Sequence, residues 1–137
     1  MADFLRSIAV AAQGLRAQAG RMRLIAENIA NAESTPSRPG EEPYRRKIAV
    51  FDRRFDAELG VTAPALGRTK RDARPFPVRH EPGHPAADAA GNVRAANVEM
   101  LVESMDMREA QRSYEANVNV IATTRRMIQR TLDLLRT

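Results

Sequence analysis

Two stretches of seven-residue apolar spacing, one at each end of the 137-residue chain, enclose a central segment that holds all eight prolines, Pro36 through Pro85. Proline inside a helix removes a hydrogen bond and clashes with the preceding turn, so only the two ends are free to form long helices. Near the N-terminus Ile8, Leu15, Met22 and Ile29 recur every seven residues, and Leu5, Ala12, Ala19 and Ala26 form a second row three positions earlier. Near the C-terminus Met100, Met107, Tyr114, Ile121, Ile128 and Leu135 repeat the interval beside a row of Ala110, Asn117, Thr124 and Thr131. A dry two-stranded zipper calls for Leu or Ile in both rows, so the second helix is expected to touch several partners. Helices at opposite termini can bury such stripes only against each other or against neighbouring chains, and an isolated alanine-rich pair is marginal. The expected fold is therefore mainly α: long N- and C-terminal helices paired in a coiled-coil-like layer, with a small irregular or β middle region, stabilised by association with other chains.

The expected divisions are an N-terminal helix over residues 1–31, a proline-rich middle region over 32–97 and a C-terminal helix over 98–137. Asn, Ser, Pro and Gly replace the helical pattern between Asn31 and Pro43, which stops the first helix. Tyr44 to Phe51 reads as an exposed strand, and Phe76, Val78 and His80, alternating with Pro77 and Arg79, as a second, edge-like one. Gly91 and Asn92 supply a turn. Asn97 is the expected cap of the last helix, with Glu99 in its first turn.

Composition narrows the function. Only six residues are aromatic, none of them Trp, so any globular core is small, and the absence of Cys excludes disulfides and thiolate metal sites. Met1 to Phe4 run directly into an amphipathic pattern, so no cleaved leader is expected, and no apolar run reaches the ~20 residues of a membrane span. The net charge of +5 is diffuse, with denser basic stretches at Arg45, Arg46, Lys47, Arg53 and Arg54 and at Arg68, Lys70, Arg71 and Arg74. These leave open an alternative reading as a basic, helical nucleic-acid-associated protein, which would gather Arg16, Arg21 and Arg23 with those clusters on one face. Acidic Asp52, Asp56 and Asp72 interrupt the clusters, and few aromatics are available to stack on bases.

No phosphate-cradling glycine loop or nucleophile elbow is present, and no catalytic residue, cofactor or small-molecule substrate is expected. His80, Glu81, His84 and Asp88 come nearest to a metal set, but Pro82, Gly83 and Pro85 forbid the helix that would align the two histidines. The segment reads instead as a rigid connector turn. Met100, Met105 and Met107 at helical spacing read as packing residues rather than soft-metal ligands.

Gly14-Leu15-Arg16-Ala17-Gln18, Arg21-Met22 and Ala26-Glu27-Asn28-Ile29-Ala30-Asn31-Ala32 resemble the N-terminal signature of the bacterial flagellar rod and hook axial proteins. Pro43-Tyr44-Arg45-Arg46-Lys47, Glu81 to Asp88 with Gly91 and Val93, Tyr114-Glu115-Ala116-Asn117 and Arg130 to Leu135 narrow the resemblance to the proximal-rod members. Asn92 and Ala96 depart from that pattern, which usually has Tyr and Pro there, and residues 52–75 carry little of it. The resemblance implies a subunit whose terminal helices assemble into the periplasmic drive shaft of the flagellar basal body, transmitting torque around an export channel. It implies export through the flagellar type III apparatus, and as partners copies of the same chain, other proximal and distal rod proteins and the adapter between rod and MS ring. The expected packing and assembly residues are Ile8, Leu15, Met22 and Ile29 with Met107, Tyr114, Ile121 and Ile128. Asn28, Asn31 and Asn117 are expected to set register, although Asn31 also fits a helix C-cap and Asn117 a solvated helix position.

Overall fold

Alanine and long unbranched side chains carry the first helix, α1, over Ala2–Ala30 in a computed structural model that describes residues 2–136. Asp3 lies in its first turn, where the helix dipole favours a negative charge. The helix ends at Asn31, whose backbone N–H and side-chain Nδ2 both donate to the carbonyl of Glu27, at 3.1 and 2.9 Å. Ser34 then closes the turn by donating from its N–H and its hydroxyl to the Asn31 carbonyl. Six short strands follow: β1 (Lys47–Ile48), β2 (Phe51–Asp56), β3 (Val61–Leu66), β4 (Lys70–Arg71), β5 (Val78–His80) and β6 (Asn92–Arg94). They pair antiparallel as β1 with β4, β2 with β3 and β5 with β6. The second long helix, α2, spans Met100–Leu135 without a proline or glycine.

Two expectations about the middle region need correction. The stretch from Tyr44 to Phe51 is not one strand, because only Lys47 and Ile48 pair with β4, and Phe51 opens β2. Asn side chains occupy the backbone before it: the N–H of Arg46 donates to Asn97 Oδ1 at 2.7 Å, and that of Lys47 to Asn28 Oδ1 at 2.9 Å. For the same reason Asn97 does not cap α2. Its amide also donates to the carbonyls of Asp72 and Arg74, at 3.3 and 3.0 Å, which ties loops together ahead of the helix.

The chain forms two compact units. The first comprises Met1–Met22, Ala49–Arg68 and Arg108–Thr137. In it α1 meets α2 through small residues, with Ala11 and Ala17 buried on one helix and Ala110 and Thr124 on the other. The helices approach so closely at Gly14 that a Cβ there would lie 2.9 Å from the Asn117 amide. Arg21 pairs with Glu109 at 3.2 Å across the same two helices. The β2–β3 hairpin packs Leu66 against Gly20, where a Cβ would come within 2.6 Å of Cδ2, and Arg6 Nε donates to the Leu59 carbonyl at 3.0 Å. Asp56 shapes the hairpin turn by accepting from the N–H groups of Glu58 and Leu59, and Gly60 completes it at φ 63°.

The second unit comprises Arg23–Ile48 and Thr69–Met107. Its core is small, as six aromatics require: Leu24, Ile25, Ala32, Ala86, Val93, Ala95 and Ala96 are buried, and polar Asn28, Asp72, Asn97 and Glu103 are buried with them. Phe76 lies at the edge, with the Arg45 guanidinium 4.3 Å and that of Arg94 5.8 Å from its ring centroid.

Candidate functional site

Within the second unit, the end of α1 and the start of α2 are joined by charge and hydrogen bonds. Asn28, 1 % exposed, satisfies its whole amide. Nδ2 donates to the Lys47 carbonyl at 2.8 Å and to Glu103 Oε2 at 3.1 Å, while Oδ1 accepts from the Tyr44 hydroxyl and the Lys47 N–H, both at 2.9 Å. The side chain thus serves as a hydrogen-bonding edge for β1. Glu103, 0 % exposed, accepts in turn from Nε of Arg46. The same guanidinium reaches Asp106 at 3.1 Å and Asp72 at 3.5 Å, so one cation sits among three carboxylates. Arg74 supplies a second cation, its Nε and Nη2 each 2.8 Å from Asp72. Lys47 pairs with Glu27, the residue before Asn28.

Ionisation follows from this geometry. Burial alone would favour loss of the Arg46 proton, but the hydrogen bond and charge of Glu103, with the charges of Asp106 and Asp72, outweigh it and hold the pKa above its ordinary value. Burial likewise works to raise Asp72, yet the N–H and guanidinium of Arg74 and the charge of Arg46 hold its carboxyl below the usual range. Burial, then the charges of Glu27 and Glu103, pushes the Tyr44 phenol up to about 12. A buried network of this kind adds little net stability over an apolar core, but it penalises every register that leaves a charge unpaired.

Ile8, Leu15, Met22 and Ile29 on α1, and Met107, Ile121 and Ile128 on α2, are half-buried, and Tyr114 is 37 % exposed. These residues flank the enclosed seam. On α2 the fully buried positions are Glu103, Ala110 and Thr124, the seven-residue row beside the apolar one, with Asn117 half-buried between them. Asn117 Nδ2 donates back to the Ser113 carbonyl at 3.0 Å, beside Gly14. Asn31 caps α1, as described above. Arg46, Glu103, Asp72 and Asn97 were not among the expected site residues. The sequence signs were that Arg46 lies in the Pro43–Lys47 motif and that Glu103 starts the row Ala110, Asn117, Thr124.

The connector from His80 to Asp88 begins at the last residue of β5, His80, which pairs with Asn92, and continues into the loop of the β5–β6 hairpin. His84 Nδ1 accepts from the Ala86 N–H and its Nε2 lies 3.0 Å from the Thr35 hydroxyl, so both ring nitrogens have protein partners. Pro82, Gly83 and Pro85 are exposed. Gly83 is not among the glycines of positive φ, and a Cβ there would meet nothing within 4 Å. The constrained glycine is Gly91: its φ is 80°, and a Cβ would lie 2.9 Å from Pro82 Cγ and 3.1 Å from His80 Cε1. Among the described residues no group of three or more His, Asp or Glu is placed to hold a metal ion, and no helix is long and apolar enough to cross a membrane. Part of the basic stretches is engaged within the protein: Arg45 with Glu42 and Phe76, Lys47 with Glu27, and Arg46 and Arg74 with the buried carboxylates.

Comparison with known proteins bears on both helices at once. The profile of the flagellar basal body rod FlgEFG protein C-terminal region matches residues 89–134, from the connector to near the end of α2. The flagellar basal-body rod protein FlgC of Agrobacterium fabrum is 45 % identical over 127 residues, covering 93 % of this chain and 91 % of that protein. The chain belongs to the FlgC family of flagellar basal-body rod proteins. FlgC of Salmonella typhimurium is 38 % identical over 130 residues, with 91 % and 92 % covered, and FlgC of Aquifex aeolicus 34 % over 133 residues, with 97 % and 98 % covered. The FlgC relatives are structural rod components by name, and the paired terminal helices of this chain suit that role.

Proposed function

We propose that this chain is a subunit of the proximal rod that assembles through its terminal helices into the periplasmic drive shaft, transmitting torque and surrounding the export channel. The observation that carries the reading is the apolar surface α2 keeps beyond its seam with α1. Val118, Val120, Met127 and Leu132 are 43, 46, 48 and 40 % exposed, on both sides of the enclosed row. Apolar rows on both flanks of a paired helix suit a lattice in which each subunit meets several others. Copies of this chain, other proximal and distal rod proteins and the adapter at the MS ring are the partners this role requires, and export through the flagellar type III apparatus supplies the subunits. The role is mechanical: packing residues Ile8, Leu15, Met22, Ile29, Met107, Tyr114, Ile121 and Ile128 hold neighbours, while Asn28, Asn31 and Asn117 fix register.

The test is complementation of a strain deleted for this gene. Wild type restores swimming and appears in the rod of purified basal bodies. Ile121→Asp, which places an unpaired carboxylate on the flank of the seam, abolishes both. Swimming in the deletion strain, or basal bodies that lack the chain, would overturn the assignment.

A further inference from the structure

Thr35 and His84 lie 49 residues apart, each followed by a proline, Pro36 and Pro85. A residue before proline is confined to extended backbone, so both side chains project from stiff segments. Both belong to the second unit, where the loop after α1 and the loop of the β5–β6 hairpin meet at their 3.0 Å contact. The position of the imidazole proton follows from its neighbours. The Ala86 N–H, 3.0 Å from Nδ1, can only donate, so Nδ1 is bare and accepts. A neutral ring then carries its proton on Nε2 and donates it to the Thr35 hydroxyl. Ala86 itself is buried, so this small turn anchors the loop to the core.

A second proton would go to Nδ1 and set one N–H against another, leaving the Ala86 N–H without an acceptor. Both nitrogens sit on one rigid ring, so turning it away from Ala86 also draws Nε2 from Thr35. No carboxylate is placed to compensate. On the loop after α1, Glu33 is taken by Arg79 at 3.3 Å and Glu41 by the Ser37 N–H at 3.1 Å. On the hairpin, Asp88 accepts from the N–H groups of Ala90 and Asn92, His80 lies against Asn92 Oδ1, and Glu81 takes the His84 N–H on its backbone carbonyl. Arg38 and Arg94, which line the cleft beside Ala86, have the sign of a protonated ring. Among the described residues none of these groups forms an ion pair with the imidazole.

We propose that His84 is a proton-operated latch: neutral, it holds the β5–β6 loop on the loop after α1, and it lets go as pH falls through the histidine range, from about 8 to about 5. The latch is closed in the upper part of that window and open in the lower part. The Glu33–Arg79 pair spans the same two segments without the imidazole, so release loosens a loop and leaves the unit folded. The inference stands apart from the rod-subunit reading.

The chain has only two histidines, so the imidazole signals of the purified full-length protein are few, and His80→Gln assigns them. Nitrogen NMR near about pH 8 should show His84 bare at Nδ1 and protonated at Nε2. On acidification the amide signals of Ala86 and Thr35 should move with the midpoint of the His84 ring, and Ala86 should lose about tenfold in protection from hydrogen exchange, the scale of one buried hydrogen bond. The comparison is with His84→Asn at the same pH, where a side-chain oxygen that does not titrate accepts from the N–H two residues on. In that variant the protection of Ala86 should be the same at both ends of the window. Thr35→Val should keep the response of Ala86 and abolish that of residue 35. Exchange of the segment 81–90 followed by mass spectrometry, in wild type and His84→Asn, repeats the comparison without resolved NMR signals. A ring protonated at Nδ1 at the alkaline end, an Ala86 amide indifferent to the titration of His84, or a His84→Asn chain that keeps the wild-type pH response would overturn the latch.

Discussion

Replacing Arg46 with Met tests the buried network where solvent screens it least. Glu103 is 0 % exposed and takes the Arg46 Nε–H, so the substitution leaves a buried carboxylate dependent on Asn28 Nδ2 at 3.1 Å. Removing one partner of such a pair costs about 3–5 kcal/mol. The Asp106 contact, to a carboxylate side chain 33 % exposed, adds at most about 1 kcal/mol, and Asp72 retains Arg74. A loss of about 4 kcal/mol against a urea slope near 2 kcal/mol per M moves the unfolding midpoint down by about 2 M. Glu103→Gln keeps the shape and the Asn28 contact, and is expected to cost about 1–2 kcal/mol. The double variant should then cost about 2 kcal/mol less than the sum of the two, because the stranded charge has gone. Urea titration followed by circular dichroism on the four proteins of this cycle gives the coupling directly. A midpoint shift below about 0.5 M for Arg46→Met, or strict additivity, would refute the account of Glu103 as a charge held by Arg46.

Gly91→Ala should destabilise the β5–β6 hairpin by about 1–3 kcal/mol, because its φ of 80° disfavours a side chain and the Cβ would meet Pro82 at 2.9 Å, whereas Gly83→Ala should be nearly neutral; equal thermal midpoints for the two variants would contradict this. Replacing His80 and His84 together with Gln should leave swimming nearly intact, and loss of swimming together with a stoichiometric ion in the wild type would reverse the connector reading. Asp72 has its pKa lowered by Arg74 and Arg46, so its contribution is present above the ordinary carboxylate range and is lost as pH falls through the lower folded value; Asp72→Asn should flatten the acid limb of a stability-against-pH curve, and an unchanged limb would contradict the pairing. Tyr44→Phe removes the 2.9 Å bond to Asn28 and should cost about 1 kcal/mol by urea titration, with a change below the error of that measurement counting against the network.

Much of this protein is legible in its sequence because the cues are local. Proline placement and seven-residue spacing determine two terminal helices, and residues 26–32 and 114–117 carry a family signature that needs no coordinates. The β2–β3 hairpin was less legible, since Pro64 interrupts the second strand and Ala and Leu make up much of the rest of it, so its β propensity is weak. The enclosed row on α2 was decided only by tertiary structure. Periodicity identifies two adjacent rows on that helix, and hydrophobicity favours Met107, Tyr114, Ile121 and Ile128. Yet Glu103 and Thr124 are the buried ones, beside Ala110. A glutamate can be buried there because Arg46, 57 residues away, and Asn28, 75 residues away, arrive to satisfy it. The small side chains of Gly14, Ala17 and Ala110 bring the helices close enough for a narrow polar row to fill the gap. Burial of a polar group depends on partners distant in sequence, whereas helix formation depends on neighbours within a turn or two, and that difference in range separates what the chain discloses alone from what its fold adds.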